Sequence, residues 1–345
     1  MATVVIDVST HRVIVTLLPA GISGVSVTPD GKLAYVTNLD DDIVSVIDVK
    51  TLKVVATILI EQGPSDVAFT PDGKLAYVIN SASEQGNTVT VIDVKTHSII
   101  ATIMVGLNPN VVAFTPDGKI AYVINNASEQ GNTVTVIDVK THSVIATVMV
   151  GQAPFDVAFT PDGKIAYVTN NGSSSQSDNT VSVIDVKTHS VIATVMVGQA
   201  PFNVAFTPDG KLAYVTNAFN ATVSVIDVKT HRVITTVMVG QVPFDVTFTP
   251  DGKLAYVTNV DNATVSVIDV KTHSVIATVQ VGEGPFDVAF TPDGKIAYVT
   301  NEDDVKISVI DVKTHSVIAT IPIDLQLGRI AFTPDGKLAF VAELT

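Results

Sequence analysis

Thr160-Pro161-Asp162-Gly163-Lys164-Ile165-Ala166-Tyr167-Val168-Thr169-Asn170 reads as a tight turn that launches a short strand, and its recurrence decides the fold. Pro161 presets a negative φ and Gly163 accepts a positive one, which is what a tight turn asks for. The β-branched and aromatic run behind it is a strand signature. Thr-Pro-Asp-Gly-Lys occurs eight times, beginning at Thr28, Thr70, Thr115, Thr160, Thr207, Thr249, Thr291 and Thr333, with spacings of 42 to 47 residues. An Ile-Asp-Val segment also occurs eight times, its aspartates at Asp7, Asp48, Asp93, Asp138, Asp185, Asp227, Asp269 and Asp311. A period of this length points to a repeat architecture.

Within the fourth unit four strands are predicted: A over Asp156–Thr160, B over Lys164–Thr169, C over Thr180–Val186 and D over Ser190–Val197. Val157 and Phe159 face one way and Ala158 the other, so both faces are apolar and each sheet must be covered twice. That describes a blade packed between two neighbours. Residues 2–20 supply only strands C and D, and residues 326–345 only A and B. Joined, the termini make one further blade. The chain is therefore expected to be a single all-β domain over residues 1–345, an eight-bladed β-propeller of four-stranded antiparallel blades. A two-plus-two clasp closes the ring and removes free sheet edges. Segments 133–170 and 180–217 agree at 35 of 38 positions, a sign of recent duplication or of a designed, consensus-like repeat.

Strand B reads Tyr-Val-Thr-Asn at 35–38, 167–170, 214–217, 256–259 and 298–301, and Tyr-Val-Ile-Asn at 77–80 and 122–125. With Ser-Val-Ile-Asp and the Pro-Asp-Gly-Lys turns at their offsets, the chain resembles the YVTN family of β-propellers over essentially its whole length. The eighth strand B departs from the pattern as Phe340-Val341-Ala342-Glu343. The resemblance implies a cell-surface or secreted protein of archaeal surface-layer or bacterial type, and members commonly have seven blades. Related propellers include enzymes, so fold likeness does not choose an activity.

Composition narrows the function classes. The 345 residues are 46% hydrophobic and 16% charged, with 34 acids against 20 bases and a net charge of −14. A nucleic-acid partner is not expected, because phosphate backbones are held by clustered Lys and Arg. The absence of Cys removes disulfides, thiol nucleophiles and Cys-ligated metals. Residues 98–116 carry no charge, but Asn108-Pro109-Asn110 interrupts them, so no membrane span is expected. The N-terminus has neither a basic region nor a cleavable apolar core, and no signal peptide is expected in this sequence. The A–B and C–D turns lie on one face of a propeller, and there 16 acids meet 18 bases. The other 18 acids fall on the opposite face, where only Lys306 and Arg329 oppose them.

On that acidic face the start of strand A adjoins the mouth of the central channel, and there the repeats disagree. The aligned position holds Gly24, Asp66, Val111, Asp156, Asn203, Asp245, Asp287 and Arg329. Phe155, Phe202, Phe244 and Phe286 precede four of them. Four carboxylates, an amide and a guanidinium with aromatic rings beside them suggest a site for a cation, a small cationic ligand or a basic partner protein. Packed sheets lie about 10 Å apart, too far for several carboxylates to share a dehydrated Ca²⁺. A hydrated or organic cation fits better, and no cofactor beyond a loosely held divalent ion is expected. The competing structural reading makes these aspartates caps or braces that bind backbone N–H groups across the blade interface. Asp40, Asp41 and Asp42, with Glu302, Asp303 and Asp304, flank the closing blade as weaker metal candidates.

Long polar B–C insertions, Ser81–Asn87, Asn126–Asn132 and Asn171–Asn179, break the symmetry again. Seven histidines, His11, His97, His142, His189, His231, His273 and His315, share one slot in the C–D turn, with Leu52 in the eighth. They read as turn residues at the outer rim, tolerant of a left-handed backbone. Asn126, Asn171, Asn220 and Asn262 head glycosylation triplets. The sequence thus supports a monomeric, non-catalytic binding or structural scaffold working through its acidic face. A divalent-ion-assisted, lactonase-like hydrolase or lyase, and a consensus-like propeller without a ligand, are the alternatives.

Overall fold

The computed structural model describes residues 3–17, 22–60, 63–81, 87–126, 132–172, 178–323 and 327–343. Thirty-two strands form eight four-stranded sheets, each antiparallel and ordered A-B-C-D. The molecule is an eight-bladed β-propeller. Blade 1 begins at Ile22 and blade 7 ends at Pro322. Blade 8 is the clasp, in which Thr3–Asp7 pairs with Leu338–Glu343 between Arg12–Leu17 and Leu327–Phe332. Residues 2, 18–20, 326 and 344–345 of the expected clasp lie outside the described residues. No helix among the described residues is long and apolar enough to cross a membrane.

The core is a series of slabs between blades. Tyr167, Val181, Val183 and Val195 of blade 4 pack on Val204, Ala213, Val215 and Ile226 of blade 5, and eight such clusters recur around the ring. The Pro-Asp-Gly turns add a second ring of contacts. Gly252, at φ +67°, leaves room for Pro208 of the preceding blade, and Gly31 of blade 1 meets Pro334 of the clasp in the same way. Each turn Lys pairs with the Asp of its own turn, as Lys164 does with Asp162 at 3.0 Å. Both groups are exposed, so these pairs add little stability.

Strand A of blade 4 spans Pro154–Phe159, two residues earlier than the sequence suggests. Pairing of Pro154 with Asn170 resumes beyond a bulge that sets Phe155 and Asp156 against the single residue Thr169. The sequence reading stopped at the bulge. Every innermost strand carries this irregularity near its start. Bulges re-aim side chains, and here they turn successive residues toward the channel.

The histidines have a left-handed backbone, with φ between 51° and 55°, and Leu52 shares it at 54°. They also do something the turn reading missed. Nδ1 of each lies 2.7 to 3.4 Å from the hydroxyl of the buried strand-B Tyr in the preceding blade: Tyr35 with His97, Tyr77 with His142, Tyr122 with His189, Tyr167 with His231, Tyr214 with His273, Tyr256 with His315 and Tyr298 with His11. At the eighth seam Phe340 has no hydroxyl, and the facing slot holds Leu52 in the same apolar cluster. The two sequence exceptions are one feature: without the donor, the acceptor is not needed.

Candidate functional site

The bulged starts of the innermost strands enclose a channel cavity of about 550 Å³. Asp66, Phe155, Asp156, Asn203, Phe244, Asp245, Phe286, Asp287 and Arg329 all line it, together with Asn110 and Val111. Phe202 stands beside the lining, its ring 4.8 Å from Phe155 and 5.1 Å from Phe244. Phe244 and Phe286 close the row at 4.5 Å, and Phe155 reaches Phe244 two blades away at 5.9 Å. The four rings form a continuous aromatic wall over blades 4 to 7. In the same slot blades 2, 3 and 8 carry Ser65, Asn110 and Gly328 in place of a ring, and of these Asn110 lines the cavity.

Three of the carboxylates are tied across blade seams, as the competing structural reading anticipated. Val204 N–H donates to Asp156 Oδ2 at 3.0 Å, Val288 N–H to Asp245 Oδ2 at 3.2 Å, and Ile330 N–H to Asp287 Oδ2 at 2.8 Å. Each donor belongs to the next blade. Bracing and lining coexist, because the same side chains bound the cavity. The sequence reading missed the third layer of this arrangement, the Thr of Tyr-Val-Thr-Asn. Thr258 Oγ1 accepts from Asp245 N–H at 2.9 Å and donates to Phe286 O of the next blade at 3.1 Å. Thr169 and Thr216 do the same toward Phe202 and Phe244. The motif that marks the repeat thereby holds three of the four rings. Phe155 is the exception: blade 3 carries Ile124 in that slot, and Asn110 Nδ2 of that blade donates to Phe155 O at 3.4 Å instead.

The charges sit deep in the toroid yet are open to the channel cavity. Arg329 and Asp66 side chains are 59% and 20% exposed, but that surface faces a narrow channel surrounded by protein, so the surroundings screen poorly. Burial pushes the Asp156 carboxyl up, against the Val204 N–H and the Arg329 charge that hold it down. Burial, and then the charge of Asp287, push Asp245 well above the usual carboxylate range. Asp287 is also raised by burial, opposed by Ile330 N–H and Arg329. Of that adjacent pair Asp245 is pushed up further, since two buried like charges side by side do not both ionise easily. Arg329 is the only Lys or Arg among the described lining residues, and its nearest carboxylate is Asp66 at 3.6 Å. The field of Asp66, ahead of those of Asp287, Asp156 and Asp245, holds the guanidinium firmly protonated.

The weaker metal candidates do not converge. Among the described residues no three His, Cys, Asp or Glu side chains come together as a metal site. Asp41 accepts from Asn38 Nδ2 at 2.9 Å and Asp42 from Gly63 N–H at 2.7 Å. Asp304 accepts from Glu283 N–H at 2.8 Å and pairs with Lys306 at 2.5 Å. Asp40, Glu302 and Asp303 complete these loops without a shared centre. Asn220 and Asn262, which head two glycosylation triplets, use their amide oxygens to accept from Gln199 and Gln241 N–H. Glu61, Glu84, Glu129 and Asp324 of the acidic face, and residues 82–86, 127–131 and 173–177 of the insertions, lie outside the described residues.

Comparison with known proteins agrees with this fold. A family model described as a YNCE-like beta-propeller matches residues 173–262, and one described as a lactonase, 7-bladed beta-propeller, matches residues 248–343. No curated protein matches the chain. Among solved structures, Kuenenia stuttgartiensis hydrazine synthase is 24% identical with a TM-score of 0.67, covering 85% of this chain and 96% of that one. Dihydro-heme d1 dehydrogenase NirN, solved in complex with DHE, is 18% identical with a TM-score of 0.79, covering 97% and 76%. A functionally unknown protein from Desulfotomaculum acetoxidans is 17% identical with a TM-score of 0.68, covering 90% and 98%. At such identities the likeness is one of fold, and enzymes are among the proteins that share it.

Proposed function

We propose that residues 1–345 act as one propeller domain of YVTN type, a non-catalytic scaffold whose channel takes a small organic cation. The observation that carries this reading is the convergence of Asp66, Asp156, Asp245 and Asp287 with Phe155, Phe244 and Phe286 of the aromatic wall on one cavity. Carboxylates supply the charge, and ring faces attract an ammonium or guanidinium group without dehydrating it as a metal site would. Spacing across blades suits a ligand several ångströms wide rather than a bare ion.

Calorimetric titration with tetramethylammonium tests the reading, with Asp156, Asp245 and Asp287 each changed to Asn in one variant. Asn keeps an acceptor oxygen for the next blade's N–H, and Asn203 already occupies the equivalent slot. Saturable binding that the triple variant loses is expected. Unchanged binding in that variant across a salt series would refute the proposal. The match of residues 248–343 to the lactonase model favours a second reading, an ion-assisted hydrolase. Turnover of esters or lactones that depends on Ca²⁺, Mg²⁺ or Mn²⁺ is its signature.

A further inference from the structure

The cavity already holds one cationic group of the class proposed for it. Arg329 projects from the clasp blade into the lining formed by Asp66, Asp156, Asp245 and Asp287, and its ion-pair partner Asp66 lies not in the adjacent blade but two blades on. Gly24 holds the aligned slot of the blade between them. A Cβ there would lie 3.0 Å from both the Cα and Oδ1 of Asp66, so any larger residue would press on the ion pair's carboxylate. The residue choices at three consecutive blades, Arg329, Gly24 and Asp66, therefore make a reach and a landing point. Arg329 remains loosely seated. At 3.6 Å its contact with Asp66 is longer than a good charge-assisted hydrogen bond, and more than half of its side chain faces the channel. A guanidinium with five donors and a single long ion pair is displaceable.

We infer that Arg329 is a tethered internal occupant of the cation site, which an incoming organic cation must displace. The inference rests on the cation-binding reading above and concerns how the site is regulated and selected. It makes Arg329 a specificity-determining residue: only a cation that satisfies the carboxylates better than a tethered guanidinium, or that also gains contact with the Phe wall, enters. If the occupied form makes up about nine-tenths of the population, the apparent affinity is lowered about tenfold.

The test is calorimetric titration of the full chain, Arg329→Gln and Arg329→Lys with methylguanidinium chloride and with tetramethylammonium chloride, at low salt and at high NaCl. Arg329→Gln is expected to bind about tenfold more tightly, whereas Arg329→Lys, which keeps a tethered cation, stays weak. The gain should persist at high salt, because removing an occupant is not screened while a remote field is. On the unaltered chain, the Arg329 side-chain ¹⁵N resonance should shift on titration as the guanidinium leaves Asp66, a readout that needs no variant. Binding by the unaltered chain that is no tighter in Arg329→Gln, or a gain that vanishes at high salt, overturns the occupancy inference and leaves the cation site standing. Absence of binding in both the unaltered chain and Arg329→Gln overturns the cation site itself.

Discussion

The pairing of Phe340 with Leu52 at the one seam without a Tyr–His contact predicts a specific non-additivity at the others. Take Tyr167 and His231, 2.9 Å apart between blades 4 and 5. Tyr167 is fully buried, and burial pushes its phenol up, so it stays protonated and can donate to Nδ1. His231→Leu leaves that hydroxyl buried without an acceptor, a loss of about 1–3 kcal/mol. Tyr167→Phe leaves only a partly exposed imidazole nitrogen that water reaches, a loss of about 0.5–1.5 kcal/mol. The double variant reproduces the Phe–Leu seam, whose Leu52 already tolerates the same positive φ. It should be no less stable than His231→Leu alone, giving a coupling of about 1 kcal/mol. Urea denaturation of the four proteins measures it, and in melting temperature about 1 kcal/mol corresponds to roughly 1.5 °C for a chain of this size. Acid adds a second limb. Burial lowers the folded-state pKa of His231, against the pull of Asp227. The stability held by the neutral ring is therefore complete above the unfolded value near 6.5 and is lost as pH falls through the depressed folded value. The double variant should lose that seam's share of the acid sensitivity. Additive single effects, within about 0.3 kcal/mol, would refute the seam argument.

Two further outcomes follow from the channel. Asp245→Asn should stabilise the protein at neutral pH: its folded pKa is raised by burial and by Asp287, so ionisation disfavours the fold as pH rises past the unfolded carboxyl value. The gain should disappear below about pH 4, where both states are protonated; a gain independent of pH would contradict the buried-charge account. Thr258→Val removes the acceptor for Asp245 N–H and the donor to Phe286 O, for a loss of about 1–2 kcal/mol. Blades 2 and 3 keep their fold with Ile in this slot, so amide exchange at Asp245 should quicken locally, and unchanged exchange would sink the brace.

Much of this protein was legible in its repeat. The Pro-Asp-Gly turns, the apolar strands and the split termini determined eight blades and the clasp, because turn chemistry and two-faced burial are local properties that a period makes visible. The strand-A column that gathers at the channel was also legible, since the copies differ there while they agree elsewhere. What the sequence alone could not decide was which blade each side chain serves. Asp156 binds Val204, Tyr167 meets His231 and Arg329 pairs with Asp66 two blades on, and every one of these contacts joins residues of different repeats. A repeat states what each unit is; only the curvature of the closed ring, which sets one blade's strand against the next, decides what each unit touches.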